Sequence, residues 1–146
     1  MIDRFERFSL AIAEISRYWH KIAADEMEKY GLKGPHAIYL VTIARFAEGI
    51  TAPQLCELSG KDKADVSRQM ALMEKKGLVV RSGGYRGLFA LTETGRNAAE
   101  QVRQRAALAV ELGGRDLSDE ARATLYTALD SIAGRLREMS RDGLPE

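Results

Sequence analysis

Apolar side chains recur at alternating intervals of three and four positions in the first thirty residues of the chain. These side chains are Phe5, Phe8, Ile12, Ile15, Trp19 and Ile22. Such spacing puts them on one side of a helix, as in a helix that packs along another helix. The pattern predicts one long helix from Asp3 to about Tyr30, which ends at the Gly- and Pro-containing stretch 31–35.

Two shorter helices are predicted between residues 36 and 60. The first spans 36–48, where apolar residues recur at helical spacing. The second begins at Thr51, because Thr51 and Gln54 form a T-x-x-Q capping box. We expect Leu55 and Leu58 to face the interior from this second helix.

A fourth helix and a hairpin follow. Asp62 is expected to cap the helix, which extends to Lys76. Its inner stripe is predicted to consist of Val66, Met70 and Met73. The runs LVVRS (78–82) and LFALT (88–92) favour strands and flank the turn sequence GGYRG, so they predict a β-hairpin.

Two further helices complete the chain. Thr92 is expected to cap the fifth, which Gly113 and Gly114 end, and Ser118 to cap the sixth. The inner positions predicted for the fifth helix are Ala98, Val102, Ala109 and Leu112. Those predicted for the sixth are Ala121, Leu125, Ala128, Ile132, Leu136 and Met139.

Composition and charge are those of a soluble globular protein with an uneven charge distribution. The chain has 146 residues and a net charge of +1. Its segment 51–91 has seven basic and four acidic residues, a local excess of +3 that could face a polyanion. The single cysteine, Cys56, cannot form an internal disulfide, and no apolar run approaches membrane-spanning length. We therefore expect a soluble, cytoplasmic protein without a signal peptide.

The predicted order of helix, tight turn, helix and two-stranded hairpin is that of a winged helix-turn-helix. A helix of about 10–12 Å diameter fits the major groove of B-DNA. The short turn fixes its angle to the preceding helix, and the hairpin tip can reach a neighbouring minor groove. The expected fold class is therefore mainly α with a small β-hairpin wing, and the favoured partner is double-stranded DNA.

The same region resembles the MarR family of bacterial transcription regulators. That family has a Lys-x-x-Val-Ser-Arg recognition helix, a Lys-Gly-Leu-Val helix end, an Arg in the wing and a Leu-Thr-x-x-Gly start to the next helix. The matching positions here are Lys63, Val66, Ser67, Arg68, Lys76, Gly77, Leu78, Val79, Arg86, Leu91, Thr92 and Gly95. The likeness covers essentially the whole chain, because the long first helix and the last two helices also match the family layout.

The resemblance implies a winged helix-turn-helix DNA-binding domain at 34–92 and a helical dimerisation region formed by 1–30 and 93–146. In the family the terminal segments of two subunits interleave, so we expect a homodimer on a pseudo-palindromic DNA site. The candidate DNA-binding residues are Thr51, Gln54, Lys63, Ala64, Ser67, Arg68, Tyr85 and Arg86. The alternative for the helix face is a solvated surface with no DNA partner.

The chain departs from the family pattern at two positions. Family wings commonly have Asp two residues before the wing Arg, and Gly84 stands at that place. Asp65 occupies a position where the family often has Ser or Thr. A carboxylate there is unfavourable beside phosphates, but it could cap the first helical turn or accept a hydrogen bond from cytosine N4.

Many members of the resembled family bind small aromatic acids or phenols between the dimer region and the winged domain. The residues on the corresponding segments are Trp19, His20, His36 and Tyr39, which are candidate ligand contacts. The alternative is that these residues serve only packing and surface roles. The resemblance thus implies a repressor released by a small-molecule effector of the phenolic or aromatic acid type. The alternatives are an effector-independent or partner-controlled DNA-binding protein, or a protein-interaction module with the same fold.

Catalytic, metal and redox functions have little support in the sequence. The RSGGYRG stretch lies between two predicted strands and does not open a helix, as a phosphate-binding loop would. No nucleophile, base and acid arrangement stands out, so we expect no enzyme. Two histidines and one cysteine are too few for a recognisable zinc motif, and we expect no cofactor. Cys56 is expected to act as a small apolar residue.

Overall fold

The computed structural model describes residues 3–83 and 87–146, and it has the predicted class of fold, mainly α with a small β-hairpin. The elements are α1 (Arg4–Glu28), α2 (Gly34–Ile43), α3 (Ala52–Ser59), α4 (Lys63–Lys75), β1 (Val79–Ser82), β2 (Leu88–Leu91), α5 (Glu93–Gly113) and α6 (Asp119–Asp142). The chain divides into two compact units, Met1–Ala106 and Ala107–Glu146. Within the described residues no helix is long and apolar enough to cross a membrane.

Five of the helices begin at side-chain caps, and the sequence predicts each of these starts. Asp3, Thr51, Asp62, Thr92 and Ser118 each accept a hydrogen bond from the backbone N–H three residues later. At Thr51 the full capping box is formed, because Gln54 Oε1 accepts from the Thr51 N–H at 3.1 Å. Each cap satisfies a backbone N–H that the helix itself leaves unpaired. The predicted helix starts are accurate because the capping residue and the N–H that it binds are close in sequence.

Helix α2 ends at Ile43, five residues before the predicted end at Glu48. The chain turns there because Ile50 must reach the hairpin. The Ile50 N–H donates to the Phe89 carbonyl at 2.9 Å, and the Phe89 N–H donates back to Ile50 at 2.8 Å. The predicted end of this helix is therefore wrong. The pairing of Ile50 with Phe89 is non-local, and helical spacing contains no information about it.

The core of the first unit surrounds α2 and α4. Its buried members are Met27, Leu32, Tyr39, Leu40, Ile43, Ile50, Leu55, Val66, Met70, Met73, Leu78, Val79, Phe89, Leu91, Ala99 and Val102. The predicted inner stripe of α4 is thereby confirmed. On α3, Leu55 is buried as predicted but Leu58 is 45% exposed. The buried side of that short helix continues through Ser59, four residues after Leu55, and leaves Leu58 at its rim.

A Schellman motif separates α4 from the hairpin. Gly77 has φ +75°, the left-handed conformation that favours glycine. The Leu78 N–H donates to the Met73 carbonyl at 2.9 Å, and the Gly77 N–H donates to Glu74 at 3.0 Å. Strands β1 and β2 then pair antiparallel, with Val79 opposite Leu91. The hairpin stems are confirmed, while the tip residues 84–86 lie outside the described residues.

Apolar stripes on α1 and α6 are exposed in the single chain. All six residues of the predicted α1 stripe are exposed, and Met27 is the buried residue of this helix. In the second unit α6 has no buried residue, and its exposed apolar side chains include Leu125, Ile132 and Leu136. Leu112, predicted to face inward from α5, is also exposed. Packing within each unit therefore does not account for its stripe.

Arg122 joins the two helical segments of the second unit. Its guanidinium donates to Glu111 Oε2 at 2.8 Å and to the Gly114 carbonyl at 2.8 Å. These bonds satisfy a carbonyl at the end of α5 and hold the turn before α6.

The division into a DNA-binding domain at 34–92 and a dimerisation region formed by 1–30 and 93–146 remains a prediction.

Candidate nucleic-acid interface

A tight turn sets α4 against α3. Ser59 Oγ donates to the Leu55 carbonyl at 2.6 Å and accepts from the Lys61 N–H at 3.3 Å. Gly60 between them has φ +69°. Since Asp62 then caps α4 directly, the chain passes from one helix to the next with little freedom. This is the local geometry of a helix-turn-helix.

One face of α4 is buried and the other is exposed. Val66, Met70 and Met73 pack in the core. The predicted contacts on the opposite side, which are exposed, are Lys63, Ala64, Ser67 and Arg68. The structure therefore brings these four residues together on the surface of one helix, with two cations among them.

The first turn of α3 is occupied by its own capping box. Thr51 Oγ1 donates to Gln54 Oε1 at 3.0 Å and accepts from the Gln54 N–H at 3.3 Å. Each of these two side chains thus already has a partner on the same turn. The DNA-binding role of Thr51 and Gln54 remains a prediction.

Arg68 is paired with Asp65 on the same helix. The distance from the Arg68 guanidinium to Asp65 Oδ1 is 3.4 Å, and the two side chains are 71% and 24% exposed. The other oxygen, Asp65 Oδ2, accepts a hydrogen bond from the Tyr39 hydroxyl. The Tyr39 bond is the main reason that the pKa of Asp65 lies below its usual value.

Asp65 therefore has a role other than the expected cap. Asp62 supplies the cap, because its Oδ1 accepts from the Asp65 N–H at 2.8 Å. Tyr39, fully buried on α2, is 26 positions away in the sequence, so no local pattern predicts this contact. Burial, followed by the hydrogen bond to Asp65, raises the pKa of Tyr39.

Two other cations of the segment 51–91 contact the protein itself. Lys76 Nζ donates to the Gly31 carbonyl at 2.8 Å, which ties the end of α4 to the turn after α1. The Arg81 guanidinium lies 5.3 Å from the centre of the Phe89 ring. Tyr85 and Arg86, the predicted wing contacts, lie outside the described residues.

The four candidate ligand contacts are not all accessible. Trp19 and His20 are exposed on α1, whereas His36 and Tyr39 are buried on α2. His36 Nδ1 accepts from the Lys33 N–H at 2.9 Å. Packing therefore explains His36 and Tyr39, and a ligand site that includes all four residues remains a prediction.

Burial lowers the pKa of His36, and the amide of Gln69 offsets part of this effect. Within the described chain, Nε2 of His36 is buried without a hydrogen bond of normal geometry. A neutral imidazole is the form that such an environment favours, because a charged ring would have to leave water.

An open cavity of about 280 Å³ lies elsewhere in the first unit. Its lining residues are Tyr30, Leu32, Leu78, Thr94, Asn97, Ala98 and Gln101. None of the four candidate ligand contacts is among them. The sequence gives no indication of this cavity, because its walls come from segments far apart in the chain.

Comparison with known proteins supports the family resemblance. A family model described as "MarR family" matches residues 30–85, which contain α2, α3, α4 and β1. Comparison with curated proteins gives no match.

Several solved structures have the same fold. A MarR transcriptional regulator from Methanosarcina mazei Go1 superposes with a TM-score of 0.84 at 21% identity, over 95% of this chain and 94% of that one. A MarR family regulator from Listeria monocytogenes, in complex with 26mer DNA, gives 0.82 at 20% identity, over 100% and 99%. CouR from Rhodococcus jostii RHA1, bound to p-coumaroyl-CoA, gives 0.75 at 22% identity, over 86% and 91%.

The family match covers the helix-turn-helix, and the shared fold extends over nearly the whole chain. These findings agree with the Lys-x-x-Val-Ser-Arg and Lys-Gly-Leu-Val patterns on α4 and at its end. Over residues 30–85 the chain is similar to the MarR family, and it shares the winged helix-turn-helix fold of solved MarR regulators.

Proposed function

We propose that this protein is a sequence-specific regulator that binds double-stranded DNA as a homodimer in the cytoplasm. The observation that supports this most is the surface of α4, where Lys63, Ser67 and Arg68 are exposed together. The opposite side of the helix is fixed in the core, so these side chains have a defined direction. A rigid helix with Arg and Ser on its outer face suits the major groove.

The related structure from Listeria monocytogenes adds a second line of support. That protein has the same fold and is in complex with 26mer DNA. In our proposal Ser67 and Arg68 reach bases or phosphates and Lys63 contacts a phosphate. Contacts of Arg86 with the minor groove and of Tyr85 with the sugar-phosphate backbone belong to the same proposal, and they rest on the sequence because both residues lie outside the described part of the chain.

Exposed apolar stripes support the homodimer. Helix α1 exposes Phe5, Phe8 and Trp19 among others, and α6 exposes Ile132 and Leu136. Apolar surface of this extent is unusual on a monomeric soluble protein. A second copy of the chain would cover it and would present two recognition helices to the two half-sites of a pseudo-palindrome.

We further propose that the protein is a repressor released by a small aromatic effector. CouR, with the same fold, is bound to p-coumaroyl-CoA, which supports an aromatic ligand class. Because coupling is reciprocal, the effector must bind the DNA-free form more tightly than the DNA-bound form. The alternative is a DNA-binding protein that has no effector or is controlled by a partner. Titration with phenolic acids and their CoA thioesters, followed by DNA release, distinguishes the two.

Substitution of Arg68 tests the DNA interface directly. Arg68→Ala should weaken binding to the preferred duplex by about 1–3 kcal/mol if the side chain contacts a base. Arg103→Ala is a matched control, because Arg103 also pairs with an acid three residues earlier and is 72% exposed. Fluorescence anisotropy with a labelled duplex measures both. Equal affinity of the wild type and Arg68→Ala would refute the assignment of Arg68 to the interface.

A further inference from the structure

A chain of contacts connects the interior of the first unit to the exposed face of α4. The Tyr39 hydroxyl donates to Asp65 Oδ2, and the Arg68 guanidinium donates to Asp65 Oδ1 at 3.4 Å. We call these three residues the Tyr39–Asp65–Arg68 relay. Exposure increases along it, since Tyr39 is fully buried, the Asp65 side chain is 24% exposed and that of Arg68 is 71% exposed.

The relay fixes the carboxylate from the buried side. Tyr39 lies on α2 inside the core, so its hydroxyl has little freedom to follow a moving partner. A hydrogen bond to an ionised carboxylate is roughly twice as strong as one between neutral groups. Asp65 itself is anchored through its N–H, which donates to the Asp62 cap at 2.8 Å. The direction of the Asp65 carboxylate is therefore set by α2 as well as by α4.

A fixed carboxylate has two effects on Arg68. It restricts the guanidinium to fewer rotamers, so less side-chain entropy is lost when the remaining N–H groups bind a base. It also places a negative charge beside the cation, which reduces the attraction of Arg68 for any phosphate. Both effects favour binding to the specific DNA sequence over binding to non-specific DNA. A well-oriented Arg can contact O6 and N7 of a guanine together, and this contact exists only where the sequence provides the guanine.

We propose that Tyr39 and Asp65 are positioning residues for Arg68 and that the relay sets the ratio of specific to non-specific DNA affinity. The proposal rests on the DNA-binding function proposed above. It assigns Asp65 to orienting a neighbour, where the sequence left base contact or helix capping open. It also gives Tyr39 a role in recognition without contact to DNA or to a small ligand.

A double-mutant cycle tests the relay. The variants are Tyr39→Phe, Arg68→Ala and the two combined, measured on the selected duplex and on a scrambled duplex at the same salt concentration. Tyr39→Phe should lower the specific to non-specific ratio about five- to twentyfold, within the range for one disturbed base contact. In the Arg68→Ala background the same change should alter the ratio by less than about twofold. Glu100→Gln, which loosens the matched Arg103 pair on α5, should leave the ratio unchanged.

Asp65→Asn provides a second test that does not depend on the folding of Tyr39→Phe. It removes the charge but keeps an oxygen for the Tyr39 hydroxyl. The ratio should fall, and affinity for the scrambled duplex should rise, because one repulsive charge beside the phosphates is lost. A separate NMR titration of the Asp65 carboxyl should give a higher pKa in Tyr39→Phe than in the wild type.

The outcomes separate the relay from DNA binding itself. If Arg68→Ala weakens specific binding but neither Tyr39→Phe nor Asp65→Asn changes the ratio, the relay is overturned and the DNA-binding function stands. If Tyr39→Phe lowers the ratio equally in both backgrounds, Tyr39 acts through general stability and the relay is again overturned. If the wild type prefers no duplex, the proposed function fails and the relay has no recognition role.

Discussion

Gly95 in the first turn of α5 packs directly on the connection between α4 and β1. A methyl group added to Gly95 would lie 2.0 Å from the Leu78 carbonyl oxygen and 3.3 Å from the Leu91 side chain. The Leu78 carbonyl already accepts from the Thr92 N–H at 3.0 Å. Thr92 Oγ1 in turn donates to the Gly77 carbonyl at 2.6 Å and accepts from the Gly95 N–H at 3.0 Å. The start of α5 is therefore fixed to backbone atoms that cannot rotate away.

We expect Gly95→Ala to lower the free energy of unfolding by about 2–3 kcal/mol. Overpacking typically costs about 1–3 kcal/mol, and a clash with backbone belongs at the upper end. Loss of the Thr92–Leu78 hydrogen bond adds about 1 kcal/mol. The higher helix propensity of alanine returns about 1 kcal/mol. The melting temperature should fall by about 4–12 °C for a chain of this size.

Thermal unfolding followed by circular dichroism at 222 nm measures the effect at a fixed protein concentration. Gly113→Ala is the matched control, because Gly113 ends the same helix and a methyl group there would have no atom within 4 Å. The control should be neutral or slightly stabilising, by up to about 1 kcal/mol. Equal melting temperatures for Gly95→Ala and the wild type would refute the close approach of α5 to Leu78.

Two further predictions concern stability against pH and assembly. Burial lowers the pKa of His36 in the folded state. As the pH falls, the unfolded state therefore binds a proton at a higher pH than the folded state does. Stability should therefore be complete above about pH 6.5 and fall below it, by at most about 1.4 kcal/mol per pH unit for one proton. In urea titrations His36→Gln should flatten the dependence of stability on pH, whereas substitution of the exposed His20 by Gln should not. An unchanged pH dependence in both variants would contradict the burial argument. Leu136→Glu on α6 should shift sedimentation toward the monomer and weaken DNA binding. The control Leu144→Glu, near the end of the chain, should do neither. A stable dimer with Leu136→Glu would exclude the apolar stripe of α6 from the interface.

Features of the fold that depend on residues close in sequence could be predicted. The caps predicted at Thr51, Asp62, Thr92 and Ser118 each act over three residues, so the sequence contains the whole interaction. The stripe on α4 follows helical periodicity and is buried as expected. The helical period of α4 also predicts which cations lie on the outer face of this helix.

Features that depend on distant residues could not be predicted. The end of α2 depends on the pairing of Ile50 with Phe89, 39 positions later in the sequence. The Asp65 carboxylate is directed by Tyr39 on another helix, so its local setting favoured a cap instead. Lys76, one of the seven basic residues in the segment 51–91, donates to the Gly31 carbonyl, 45 positions away in the sequence. In each case tertiary contact determines the role of a residue whose neighbours in sequence indicate another.

Selection of bound sites from a pool of random duplex DNA tests the central claim most directly. The account predicts enrichment of one pseudo-palindromic sequence, with half-site centres about one helical turn apart. It also predicts that Arg68→Ala loses preference at one position in each half-site, while Arg103→Ala selects the wild-type sequence. Recovery of no preferred sequence by the wild-type protein would contradict sequence-specific DNA binding.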